Sequence, residues 1–132
     1  VTGLELVALQ RAVADGERVG LTQEDVVLTG HAIEARLYAE DPANDYLPAT
    51  GMIALWQPTS GPGLRIDEGI ATGQDVSPYY DPMLAKIIAY GETRSVARAR
   101  LLMCSRSPIL RMAKRRPRFW MRPIRRASAI RR

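Results

Sequence analysis

Between Gly30 and Pro42 apolar and polar positions alternate along the chain: His31, Ile33, Ala35, Leu37 and Ala39 fall on one side, and Ala32, Glu34, Arg36, Tyr38 and Glu40 on the other. A period of two over this length predicts a half-buried strand, with Asp41-Pro42 ending it because proline cannot donate to a ladder. Glu34 and Arg36, two apart on the outer face, are placed to share an ion-pair network. Upstream the period changes. Leu4, Val7, Ala8, Arg11 and Ala12 recur at helical spacing, with Leu6, Leu9 and Val13 widening the stripe, so residues 2–15 read as a helix. Thr2 and Glu5 suit a capping box, and Gly16 a stop. A short acidic turn follows over Leu21 to Asp25, with Thr22 as its cap.

Downstream, strands are expected at Met52 to Trp56, Leu64 to Asp67 and Met83 to Tyr90, separated by segments rich in glycine and proline. The near-continuous apolar run from Met83 suggests burial on both faces. A helix over residues 93–103 is capped by Thr93. Short strands between Gly/Pro turns, with helices at the ends, define an α+β fold: a small antiparallel sheet or part-barrel with flanking helices.

Composition changes this picture at one place. Residues 1–103 hold 8 Lys/Arg and all 14 Asp/Glu, whereas residues 104–132 hold 11 Lys/Arg and no acid, so the net charge of +5 sums two unlike parts. The second part has Pro108, Pro117 and Pro123 and no sustained period, and reads as an irregular basic tail, disordered or out of frame. Three readings stand for it: a nucleic-acid-binding arm held by phosphate contacts, translation in a shifted reading frame, or a solvated extension. Cys104, the one cysteine, excludes an internal disulfide framework. No apolar run nears the roughly 18 residues a membrane-spanning helix needs, and the start lacks the features of a signal peptide, so a cytoplasmic protein is expected.

Three ordered motifs are more specific. Gly30 to Pro42, then Leu47-Pro48-Ala49-Thr50-Gly51, then Pro78-Tyr79-Tyr80-Asp81-Pro82-Met83-Leu84-Ala85-Lys86, resemble the C-terminal domain of biotin carboxylase as found in acyl-CoA carboxylases, over about residues 1–103. The resemblance implies a truncated copy of that domain. The ATP-using enzyme would carboxylate N1 of biotin with bicarbonate, ATP and Mg, and the groups that grip these would lie upstream of this chain. It further implies as partners an ATP-grasp portion of the same enzyme, a biotin carboxyl carrier protein or domain, a carboxyltransferase subunit and, in the complete enzyme, a homodimer. The fragment alone would bind no cofactor. With the family's closing strand replaced by the tail, the sheet would keep an open edge.

Candidate chemistry is sparse. Arg65, in Gly61-Pro62-Gly63-Leu64-Arg65, follows a loop whose glycines let backbone approach a ligand. By resemblance, the arginine of this Gly-x-Arg stabilises the enolate that biotin's ureido group becomes, a task for a permanently charged donor fork. The alternative is a surface arginine paired with Asp67 or Glu68. His31 is the one histidine, open as a general base but read as a hydrogen-bonded core residue on the apolar face. Glu34 and Arg36 read as a structural pair near the cleft. Asp81 is placed to bond the backbone two residues on, and Lys86 reads as part of a packing motif. Leu47-Pro48-Ala49-Thr50-Gly51 has the letters of a sortase signal without the apolar anchor one needs. No glycine-rich phosphate cradle or Gly-Lys-Ser/Thr is present, and the two tryptophans and five tyrosines are too scattered for a single-strand stacking platform.

Overall fold

The computed structural model describes the backbone of residues 1–106, 110–112 and 120–123, and the side chains of residues 1–105. In chain order the elements are α1 (Leu6–Ala14), β1 (His31–Tyr38), β2 (Glu40–Asp41), a 3-10 turn (Pro42–Asn44), β3 (Leu47–Pro48), β4 (Gly51–Trp56), β5 (Leu64–Glu68), β6 (Asp75–Val76), β7 (Met83–Gly91), α2 (Arg94–Arg106), β8 (Leu110–Met112) and β9 (Trp120–Pro123). Among the described residues the strands form a four-stranded sheet in the order β5-β7-β1-β9, a three-stranded sheet β6-β4-β8 and a two-stranded piece β2-β3, each ladder antiparallel. This is the expected α+β architecture.

The alternation in β1 does what a period of two requires. Ala35, Leu37 and the following Ala39 are buried, while Glu34, Arg36 and Tyr38 face outward and are partly covered. Paired with β7 from His31↔Gly91 to Leu37↔Ala85, β1 sets Ile33, Ala35 and Leu37 beside Ala89, Ile87 and Ala85. That inner face meets β4 and α2 in one core: Leu37, Ala39, Ile53, Trp56, Leu84, Ala85, Ile87 and Cys104. Burying a residue such as Ile87 is worth about 1.5–3 kcal/mol relative to exposure, so this small cluster carries much of the fold's driving force.

Several expectations need correction. β7 is buried on successive residues only at Leu84 and Ala85, beside the register shift against β1; further along, Lys86, Ile88 and Tyr90 on the outer face stay partly exposed. His31 is exposed rather than a core histidine, because it stands at the first rung of the β1–β7 ladder, opposite Gly91, where the core has ended. α1 begins later than residue 2: Gly3 takes a left-handed φ of 71°, and Glu5 is the cap, its carboxylate accepting from the Val7 backbone N–H. None of its stripe is buried; Leu6 and Val7 are 64% and 62% exposed. At Thr22 the capping runs in the other direction, the Thr22 N–H and hydroxyl both donating to Asp25 Oδ2 at 2.8 and 3.0 Å.

The basic segment is not wholly irregular. Residues 120–123 pair with β1 in the register Arg36↔Arg122, and residues 110–112 pair with β4, so residues of the basic segment stand beside β1 and the sheet ends at β9. The compositional break at Cys104 falls within α2, whose Cys104 lies in the core. The three readings of the rest of the tail concern residues outside those described. Thr93 caps α2 as expected, its hydroxyl accepting from Val96 N–H at 3.3 Å.

Candidate functional site on the outer face of the sheet

Directly paired residues of an antiparallel ladder project to the same face, so the registers fix what lies together. On the outer face one row runs Arg65, Ile88, Glu34 and the next Asp67, Lys86, Arg36, across β5, β7 and β1. Five charged side chains thus surround one isoleucine, opposite an inner face that is apolar. The Asp67–Lys86 end of this surface borders an open hollow of about 280 Å³, also lined by Gly69, Met83 and Leu84.

Arg36 is paired along its own strand. Its Nε donates to Glu34 Oε1 at 3.0 Å. Hydrogen bonding to Glu34 pushes its pKa above the ordinary arginine value. Glu34 lies two residues before it on the same face, so the guanidinium is held by a carboxylate of its own strand. Its side chain is 42% exposed, which leaves the donor edge reachable.

Arg65 sits differently. Its Nε donates to Asp67 Oδ1 at 2.8 Å, and its side chain is 74% exposed on the outermost strand of the sheet. The hydrogen bond from Arg65 holds the Asp67 carboxyl below its usual range, with Lys86 adding a smaller attraction. This is the arrangement expected of the surface-arginine alternative, with Asp67 rather than Glu68 as partner.

Glu68 is engaged elsewhere: it accepts from Trp56 Nε1 at 2.6 Å, and Trp56 N–H donates to Thr72 Oγ1 at 2.8 Å. The other end of β5 is anchored through Gly63, whose carbonyl accepts from Tyr90 N–H at 2.7 Å, while Arg100 Nη1 donates to the Tyr90 carbonyl at 2.7 Å. Gly63 has φ 75°, and a Cβ there would run into Arg100 Nη1 and approach the Tyr90 carbonyl oxygen at 2.8 Å. The glycine-rich loop is thus shaped to pass under α2, and its conformation is set by packing.

Of the remaining candidates, Asp81 accepts from Met83 N–H at 2.7 Å, the expected local turn bond, and the adjacent Tyr79 and Tyr80 are exposed. Lys86, read from sequence as a packing residue, stands on the charged face instead. Sequence reasoning missed that Lys86 and Arg36 are direct ladder partners. The alternation of both strands assigns each residue a face, but no short-range signal fixes a register across some 50 residues. Among the described residues no group of three or more His, Cys, Asp or Glu side chains converges, and no helix is long and apolar enough to cross a membrane.

Comparison with known proteins agrees with this geometry. The profile of the biotin carboxylase C-terminal domain matches residues 34–107. The chain is 48% identical over 97 residues to a biotin carboxylase of Nostoc sp., covering 74% of this chain and 22% of that protein. It is 42% identical over 105 residues to the mitochondrial methylcrotonoyl-CoA carboxylase subunit alpha of Mus musculus, covering 79% and 15%. Among solved structures, the Hydrogenobacter thermophilus 2-oxoglutarate carboxylase biotin carboxylase domain dimer, in complex with MgADP, ADP and bicarbonate, superposes with a TM-score of 0.77. Its sequence identity is 32%, over 86% of this chain and 24% of that one.

The chain therefore belongs to the biotin carboxylase C-terminal domain family. It spans about a fifth of the length of the Nostoc relative. Its relatives are carboxylases, and none of them supports the alternative of a nucleic-acid-binding module.

Proposed function

We propose that this chain supplies one wall of the biotin pocket of a biotin carboxylase serving an acyl-CoA carboxylase, with the charged outer face of the sheet turned to the substrate. The complete enzyme would use Mg-ATP and bicarbonate to carboxylate N1 of biotin on its carrier. Nucleotide and metal would be gripped by an ATP-grasp portion, and the product passed to a carboxyltransferase subunit. A homodimer and a cytoplasmic setting go with the same reading.

Its chemistry is oxyanion stabilisation. When the ureido N1 proton leaves, negative charge gathers on the biotin carbonyl oxygen, and a prepositioned guanidinium lowers the energy of that state more than that of neutral biotin. The Gly-x-Arg resemblance assigns this role to Arg65. A second reading gives it to Arg36, and one observation favours it: Arg36, paired with Glu34, stands on an inner strand with its side chain 42% exposed, whereas Arg65 is 74% exposed on the outermost one. A donor already held in place pays less reorganisation when charge develops. Arg65 then lies at the rim.

The test is a biotin carboxylase whose own C-terminal domain is replaced by this chain, assayed with free biotin. Biotin-dependent ATP cleavage supports the proposal. Its absence in a folded chimaera that still binds ATP overturns it.

A further inference from the structure

Arg36 and Lys86 are direct partners in the β1–β7 ladder and project from the same face, so their Cβ atoms stand roughly 5 Å apart. Like charges set opposite one another are unfavourable unless an anion lies between or beside them. The nearby carboxylates are hydrogen-bonded to other groups: Glu34 to Arg36 Nε, and Asp67, which faces Lys86 across the β5–β7 ladder, to Arg65 Nε, each at 3.0 Å or less. Among the described residues Lys86 has no ion pair of its own. The row thus runs from one engaged carboxylate, Asp67, into two adjacent basic positions.

We infer that Arg36 and Lys86 together form a binding site for a phosphate-class oxyanion on the outer face of the sheet. Glu34 occupies the Nε of Arg36 and leaves its terminal Nη donors, while Lys86 offers three donors on a compact charge. A carboxylate can be satisfied by one guanidinium fork, whereas a tetrahedral dianion with oxygens in several directions can engage the fork and the ammonium at once. The open hollow beside Lys86 gives such an anion access from solvent. This site lies on the wall assigned to biotin above, but its test uses neither biotin nor ATP, so either idea can fail alone.

The experiment is a titration of the full 132-residue chain with inorganic phosphate near pH 7.5, ionic strength held constant with chloride, following the Lys86 side-chain and Arg36 Nε resonances by NMR. Both are expected to move along one saturating curve, and acetate to bind at least about fivefold more weakly. Lys86→Met and Arg36→Met should each weaken phosphate at least about fivefold, with Lys86→Arg retaining most of it. Three results would overturn the site: an unchanged phosphate curve in Lys86→Met, equal affinity for acetate, or non-saturating shifts that match those of the remote Arg11 and Arg18. Should Arg36→Met fail to fold, the Lys86 pair of variants decides.

Discussion

Trp56 donates its indole N–H to a carboxylate oxygen of Glu68 at 2.6 Å, tying the end of β4 to the end of β5 across the two sheets. The bond has a charged acceptor, so it belongs to the stronger class. Trp56→Phe keeps most of the ring packing and removes the donor; a loss of about 1–2 kcal/mol in urea unfolding is expected. Glu68→Gln retains an acceptor and should cost less. A large loss in Trp56→Phe with none in Glu68→Gln would mean that ring packing, not the charged acceptor, dominates.

The two arginines of the outer face separate in the chimaeric carboxylase. Arg36→Ala should lower kcat by about 10²–10³ with little change in ATP affinity, the size expected for loss of an oxyanion donor. Arg36→Lys should recover part of it, since an ammonium lacks the guanidinium fork. Arg65→Ala removes an exposed ion pair and should leave both stability and turnover nearly intact. The reverse pattern would return the catalytic role to Arg65. Steady-state kinetics with melting temperatures as control distinguish the two.

Gly63→Ala should be costly for two separable reasons. A left-handed φ costs a residue with Cβ about 1–2 kcal/mol, and the new methyl meets both Arg100 Nη1 and the Tyr90 carbonyl. Arg100→Ala in the same chain relieves the first contact but not the second, so the double variant should recover part of the loss and no more. A double-mutant cycle by chemical denaturation measures that coupling.

Acid should loosen the turn before β1. The Thr22 backbone and hydroxyl bonds hold the Asp25 carboxyl below its usual range of about 3.8, and Arg65 does the same for Asp67. A carboxylate whose folded pKa is depressed contributes stability above its unfolded pKa and loses it as pH falls through the folded value. Below about pH 4, therefore, Asp25→Asn and Asp67→Asn chains should show a shallower fall in stability than the parent. Denaturation midpoints between pH 5 and 2 read this out.

Cys104 moves in the other direction. Burial pushes its thiol pKa above the ordinary value, so the stability it contributes is present below the unfolded pKa and lost as pH rises beyond it. A thiol reagent at neutral pH should label the native chain slowly, at the rate of opening of the α2 end of the core. Cys104→Ser should cost about 1–3 kcal/mol by setting a hydroxyl in that apolar cluster. Rapid labelling without denaturant would contradict the core position.

Legibility followed the range of the forces involved. The inner face of β1, the Thr93 cap and the Asp81 turn rest on neighbours within a few residues, and the sequence displays them. His31 was misjudged because alternation assigns a face without saying where along a strand the core stops. β6, β8 and β9 are two to four residues long and exist through pairing, so no local period announces them. The site divides the same way: the Glu34–Arg36 pair is a two-residue interval, while the Arg36–Lys86 opposition depends on a register between strands distant in sequence.

The pairing of β1 on both sides has a kinetic consequence. Its ladder with β7 closes over about 50 residues and that with β9 over some 85, so both flanks are won against a large loop entropy. During synthesis the inner strand keeps one bare row of backbone donors and acceptors until Trp120–Pro123 has emerged. A nascent or clipped chain that stops short of those residues would offer that row to another copy of itself.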